Sequence, residues 1–188
     1  MDSPERRNRD VNDAATEVLG ASSLTLNTPQ GFEELYRNTF PRVYAYVASL
    51  LRDRSAAEDV TALAFERAYR KRSRFSARRG SPEAWVFGIA RNAALDELRK
   101  LKRRARLETE PADVWSPGPD EEAERAFRRE EVRAALASLD PRDRDLVALK
   151  FDGGLSNGEI ARVLGISETN VGSRLFRSVE KLRKACQS

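Results

Sequence analysis

The side chains of this sequence that can do chemistry are hydrogen-bond donors at helical spacing, and the chemistry they suit is the reading of nucleic acid. After Ser167, the residues Thr169, Asn170, Ser173 and Arg177 fall on one side of a helix drawn at 100° per residue, with Arg174 and Phe176 on its flanks. Val171, Leu175, Val179 and Leu182 form the opposite, apolar stripe. Short donors early in such a helix reach base edges, and an arginine fork pairs with guanine at about 1–3 kcal/mol of discrimination. Phe176 suits a thymine methyl. A second stripe, Trp85, Asn92, Asp96, Arg99 and Arg103, occupies a narrow band of another helix whose other sides carry Ala84, Phe87, Ile89, Ala94, Leu95 and Leu98. A helix that is otherwise core presents such a stripe to a partner. Just upstream, residues 71–80 hold five basic side chains, Arg74, Arg78 and Arg79 among them, around Phe75 and end in Gly80. That segment reads as a basic loop.

Other chemistries lack their residues. The chain has no histidine, which removes imidazole bases, Ser–His–Asp and Cys–His catalysis and most zinc-enzyme ligand sets. Its single cysteine, Cys186, forms neither an internal disulfide nor a CxxC site. Carboxylates are not clustered at ligand spacing, so a metal-dependent nuclease is disfavoured, and no metal or cofactor is expected. No apolar run approaches the ~18 residues of a membrane helix, and the charged first ten residues lack a signal-peptide core. A cytoplasmic protein without membrane insertion is expected.

Charge is distributed in blocks. The 188 residues carry a net charge of +4, but 31–107 holds 18 basic and 9 acidic residues, 108–124 holds 7 acidic and no basic ones, and 125–188 holds 13 and 9. Two basic modules on an acidic tether suit a polyanionic partner. The Pro/Gly-rich composition of 108–120 suits a flexible linker, and 1–30 reads as a disordered tail.

The elements that must position these stripes are helices throughout, with no strand pattern. Phe32, Leu35, Tyr36, Val43, Tyr44, Val47, Leu50 and Leu51 recur at steps of three and four, with Pro41 expected to kink or restart the helix. Ser55 is expected to open a second helix with Glu58 and Asp59 in its first turn and Ala57, Val60, Ala64 and Ala68 inward. Ser81-Pro82 starts a third, running to about Arg106. Periodicity resumes at Ala123, through Phe127, Val132, Leu136 and Leu139, and Asp140-Pro141 starts a helix that Gly153-Gly154 ends. The run Leu155 to Ser167 reads as a helix-turn-helix. Ser156 and Glu159 form a capping box, Ile160, Ala161 and Leu164 face inward, Gly165 turns the chain, and Ser167 caps the reading helix. The expectation is an all-α chain: two small helical domains, 31–107 and 125–188, on a flexible acidic linker, the second containing the helix-turn-helix.

At this point the residues resemble a family. Phe32-Glu33-Glu34-Leu35-Tyr36, Ala57-Glu58-Asp59-Val60, Arg79-Gly80-Ser81 and Ala84-Trp85-Val86-Phe87-Gly88-Ile89-Ala90-Arg91-Asn92 are similar to region 2, the promoter-melting domain of bacterial sigma factors. Leu139-Asp140-Pro141 through Lys184 resembles region 4, their −35-binding domain. The short two-domain layout resembles the extracytoplasmic-function (ECF) group. The resemblance implies a transcription initiation factor that binds core RNA polymerase, reads −10 and −35 elements, assists DNA opening and catalyses no reaction itself, with an anti-sigma factor as a further partner. It implies polymerase contacts at Glu58, Asp59, Leu63 and Glu66. It places −10 contacts at Arg74, Phe75, Arg78, Arg79, Trp85, Asn92, Asp96, Arg99 and Arg103, and −35 contacts at Thr169, Asn170, Ser173, Arg174, Phe176 and Arg177. Two positions depart from the family pattern: Ala62-Leu63 stands where a Gln-Glu pair is usual, and Gly172 where a basic residue is common. The alternative is a stand-alone helix-turn-helix regulator that binds duplex DNA without polymerase.

Overall fold

Thr28 starts the first helix: its hydroxyl accepts the Gly31 amide at 3.1 Å, and Pro29 stands at the first helical position. This is a computed structural model of the chain, and it describes residues 26–107, 132 and 134–185, with side chains up to 104 in the first stretch. Helix α1 spans Pro29–Leu51 and buries Phe32, Leu35, Val43, Tyr46, Val47 and Leu51, and Leu26 before it is buried as well. The expected restart at Pro41 does not occur. Pro41 lies inside one continuous helix on its exposed side, where water can replace the hydrogen bond that proline removes.

Arg52, in the left-handed region (φ 56°), and Asp53, extended, turn the chain into α2, Arg54–Lys71. The cap is Asp53, whose carboxylate accepts the Ala56 amide at 2.9 Å, and not the expected Ser55. Glu58 and Asp59 therefore fall beyond the first turn, which holds no acidic residue. Ala57, Val60, Ala64 and Ala68 are buried as the spacing implied, together with Phe65. The basic segment contains two short 3₁₀ turns, Arg72–Arg74 and Ala77–Arg79, before Gly80 at φ 131°. Ser81 then caps α3, Pro82–Leu107, by accepting the Ala84 amide at 3.2 Å.

In the C-terminal half, residues 134–137 form a helical turn. The Arg144 guanidinium closes it by donating to the carbonyls of Leu136, Ala137 and Leu139 at 2.9–3.1 Å. Helices α4 (Pro141–Phe151), α5 (Asn157–Leu164) and α6 (Glu168–Ala185) follow. Asp140 caps α4 as expected, with its carboxylate 2.9 Å from the Arg142 amide. Two expected apolar stripes need correction here: Val132 before α4 is 48% exposed, and on α6 Val179 is 40% exposed, while Ser178 is buried. The inward line of α6 runs Val171, Leu175, Ser178, steps of four and three that track 3.6 residues per turn, whereas steps of four alone drift off the face. Ala123, Phe127, Cys186, the acidic segment 108–124 and the tail before residue 26 lie outside the described residues.

The two halves share one apolar core. Val43, Val47, Phe87 and Ala94 of the first half belong to the same buried cluster as Leu146, Leu149, Leu155, Ile160 and Val171 of the second. Helix α1 packs on α4, and α3 on α5.

Gly172 has no packing reason to be glycine. A methyl added there would meet only the Asn157 side-chain nitrogen, at 3.9 Å. Gly172→Ala should therefore stabilise the chain by about 0.4–1 kcal/mol, or a rise of roughly 1–4 °C in Tm. A thermal melt followed by circular dichroism checks this, and a lower Tm would mean that the helix needs close approach at that position.

Candidate nucleic-acid interface

The basic loop is folded against the start of α3. Its 3₁₀ turns close through Phe75 N to Arg72 O at 3.1 Å and Arg79 N to Ser76 O at 2.9 Å. Arg72 is committed to structure: its guanidinium lies 3.9 Å from the centre of the Tyr69 ring and donates to the Tyr69 carbonyl at 2.8 Å. Arg74, Arg78 and Arg79 stay exposed. The Phe75 and Trp85 rings meet at 5.5 Å, tilted by 53°. Arg74, Phe75, Arg79, Trp85 and Asn92 line a cleft of about 360 Å³, and the side chains of Arg162 and Val163 from α5 complete its wall. Gly88 lies between Trp85 and Asn92 on α3, and a methyl there would meet nothing within 4 Å. Aromatic faces beside free guanidiniums suit an unstacked base and its phosphate.

The rest of the α3 stripe continues along the exposed side. Asp96 accepts a hydrogen bond from Arg99 at 2.5 Å, a pair well exposed at both ends, and Arg103 is exposed one turn on. Such pairs contribute little to stability. The cleft thus takes in Trp85 and Asn92, while Asp96, Arg99 and Arg103 offer charge along its approach.

On α2, Asp59, Leu63 and Glu66 recur at steps of four and three on an exposed face. Glu58 and Glu66 each pair with an arginine on their own helix, Arg54 at 3.2 Å and Arg70 at 3.4 Å. Leu63 is a partly open apolar side chain, and Tyr36 and Tyr69 are further exposed apolar groups in this half. Tyr36, expected on the buried stripe of α1, sits at its edge, its ring 4.8 Å from Phe65 and 5.0 Å from Phe40.

The helix-turn-helix forms as its sequence implies. The Ser156 hydroxyl accepts the Glu159 amide while the Glu159 carboxylate accepts the Ser156 amide at 2.9 Å. Gly165 takes φ 68°, and Ser167 caps α6 by accepting the Asn170 amide at 3.2 Å. Thr169, Asn170, Ser173, Phe176 and Arg177 are exposed, Phe176 to 69%. Arg174 differs from its neighbours: its Nε and Nη2 donate to one Asp143 oxygen at 2.9 and 2.6 Å, tying α6 to α4. One edge of its fork is occupied, and the side chain as a whole is only partly exposed. Sequence reasoning missed Asp143, because a partner 31 residues away leaves no local pattern.

Glu159 also reaches the other half of the chain: the Ser81 hydroxyl donates to its carboxylate at 2.6 Å. Burial pushes this carboxyl up, but the hydrogen bonds from Ser81 and Ser156 and the Arg42 charge outweigh it and leave Glu159 below its ordinary value. Among the described residues no group of three or more acidic, cysteine or histidine side chains is placed to hold a metal ion, and no helix is long and apolar enough to cross a membrane.

Comparison with known proteins covers both halves. The model of sigma-70 region 2 matches residues 35–104, and that of sigma-70 region 4 matches residues 129–182. The ECF RNA polymerase sigma factor SigK of Mycobacterium ulcerans is 27% identical over 187 residues, 97% of each chain. Two solved folds are similar. The sigma factor RpoE from Bartonella quintana, solved with the anti-sigma factor NepR, has a TM-score of 0.67 at 21% identity, covering 83% of this chain and 96% of that one. CnrH, solved with the cytosolic domain of CnrY, has a TM-score of 0.61 at 23% identity, covering 89% and 94%.

A carboxyl held lower in the folded than in the unfolded chain adds stability above the ordinary glutamate range, and that stability is lost as pH falls through the folded value. Urea unfolding should show Glu159→Gln less stable than the wild type at neutral pH, with the gap closing below about pH 4.5. A gap that is constant with pH would mean the carboxylate charge contributes nothing.

Proposed function

Because the chain belongs to the bacterial sigma-70 family, in its extracytoplasmic-function group, we propose a role for each exposed surface described above. The chain is a transcription initiation factor that binds core RNA polymerase and directs it to promoters. On the proposed assignment, residues 31–107 form the polymerase-binding and −10 module, and 125–188 the −35 module. The α2 face carrying Glu58, Asp59, Leu63 and Glu66 docks on polymerase, with Leu63 and its neighbour Ala62 replacing polar contacts by apolar ones. Phe75 and Trp85 receive an unstacked base of the −10 strand, and Asn92 hydrogen-bonds it. Arg74, Arg78, Arg79, Arg99 and Arg103 hold its phosphates, and Asp96 orients Arg99.

Helix α6 enters the −35 major groove. Thr169, Asn170, Ser173 and Arg177 meet base edges or phosphates, Phe176 meets a thymine methyl, and Arg174 uses the fork edge that Asp143 leaves free. The protein acts by binding and catalyses no reaction, and it works in the cytoplasm with polymerase. An anti-sigma factor is the regulator that ECF membership implies. The observation that carries this assignment is the presence, on one chain, of two separate DNA-suited surfaces: the Phe75–Trp85 cleft and the exposed reading face of α6.

Run-off transcription with core polymerase and a library of upstream DNA tests it. Chain-dependent transcripts should arise from sites sharing two spaced elements. Asn92→Ala and Phe176→Ala should each lower transcript yield about tenfold, the loss of one good base contact, with Tm unchanged. If no transcripts appear while the protein shifts duplex DNA alone, the stand-alone regulator is the correct reading.

A further inference from the structure

Bare backbone forms part of the cleft between the basic loop and α3. Gly88 lines it together with Trp85 and Asn92. At 100° per residue the three fall within a strip of about 60° on α3, with Gly88 about 4.5 Å along the axis from Trp85 and about 6 Å from Asn92. Helix side chains lean toward the N-terminus, which brings Asn92 back over the turn that holds Gly88. Glycine is disfavoured against alanine inside a helix, and neither structural reason for accepting it applies here. Gly88 is helical and lies outside the left-handed region that favours glycine. A methyl added to it would meet nothing within 4 Å, even with Arg162 and Val163 standing across the cleft. Gly153 shows the contrast: a methyl there would lie 2.6 Å from the Leu149 carbonyl oxygen and 2.9 Å from the Phe87 ring, so packing demands glycine. The space over Gly88 is open cleft, with an aromatic face on one side and an amide on the other.

We propose that Gly88 is a specificity-determining residue of the −10 site: its missing side chain is the notch into which the edge of the base stacked on Trp85 settles, close enough for Asn92 to read it. The proposal rests on the sigma-factor reading of that cleft. Stacking on an aromatic ring holds a base by its face and accepts every base. Choice among bases needs the edge within about 3.2 Å of a fixed donor or acceptor, and by 3.6 Å the hydrogen bond is gone. Asn92 carries both a donor and an acceptor, so it can separate bases that stack equally well. A carbon at position 88 would need about 3.5–4.0 Å to any base atom above it. It would therefore lift the edge off the helix by more than the hydrogen bond tolerates. The next polar group along the strip, Asp96, is already engaged by Arg99. Trp85 and Phe75 then supply affinity, while Gly88 and Asn92 together supply choice.

The test separates stability from choice. Full-length wild type, Gly88→Ala, Gly88→Val, Asn92→Ala and Gly172→Ala are compared in run-off transcription with core polymerase. The templates are a promoter the chain transcribes and its single-base variants across the −10 element, and thermal melts by circular dichroism accompany them. Gly88→Ala and Gly172→Ala should both raise Tm, because each adds a methyl at an open helical position. Only the Gly88 variants should lose −10 discrimination. At the position whose base preference Asn92→Ala flattens, Gly88→Val should lower the preference about tenfold, the worth of one good base contact, and Gly88→Ala by less. Other −10 positions should keep their preferences within about twofold. Gly88→Val added to Asn92→Ala should remove no further preference, since the two act on one contact. An unchanged preference in Gly88→Val overturns the proposal. A loss equal for every base overturns it too, and would mean that sugar and phosphate, not a base edge, cross Gly88. If Asn92→Ala flattens no position, it is the −10 reading of the cleft that fails, and the role of Gly88 fails with it.

Discussion

A carboxylate inside an apolar contact has to find its partners there, and Asp145 finds both of its partners in the other half of the chain. Taking a carboxylate out of water costs several kcal/mol unless hydrogen bonds replace the lost hydration. Tyr46 and Arg91 supply them, one to each oxygen. Their positions on α1 and α3 fix where α4 can lie. With α4 placed, Gly153 meets Arg42 and Phe87, and the helix-turn-helix that follows is carried over Gly80 and Ser81. The apolar residues around Asp145 provide adhesion, and the carboxylate provides register. Buried ion pairs contribute little net stability, because Coulomb attraction and desolvation nearly cancel, but a mismatched arrangement leaves a bare charge and is excluded.

Helix α3 connects this register to function. Phe87, Arg91 and Ala94, at steps of four and three, face the C-terminal half, while Trp85, Gly88 and Asn92 face the cleft roughly 130° round the same helix. The two faces are adjacent strips of one rigid rod, so whatever packs on the first borders the second. That is why α5 both completes the shared core through Ile160 and walls the cleft through Val163.

What the sequence showed was whatever local chemistry determines. Ser81-Pro82, Asp140-Pro141 and the Ser156–Glu159 box each start a helix where a short polar side chain meets a free amide, a decision taken within three residues. The same rule misplaced the start of α2, because Asp53 and Ser55 both qualify and only the left-handed Arg52 before the turn selects Asp53. Pro41 misled because proline's penalty depends on whether the freed carbonyl meets water, which the sequence does not display. The exposed polar face of α6 was legible from periodicity, and the exposed loop arginines from composition. Arg174 was only half legible: its place on the flank of the reading face was visible, its tie to Asp143 was not. The contacts between the halves left no trace, since Tyr46 and Asp145 are 99 residues apart and Arg42 and Gly153 are 111 apart. Asp145 is one acid among neighbours that look the same on paper, and only tertiary packing sets it apart.

Packing of the halves on each other also gathers like charges. Arg162 joins Arg74 and Arg79 around one cleft, with the Glu159 carboxylate already engaged by Ser81, Ser156 and the field of Arg42. Three guanidiniums on a small cleft repel one another, weakly in salt but without a local anion to answer all of them. A nucleic-acid strand alters that balance twice. On the proposed assignment it supplies phosphates for Arg74 and Arg79, and it takes the space that Arg162 and Val163 fill. The packing of the two halves is thus held by shape and by one buried carboxylate, and opposed by the like charges it gathers.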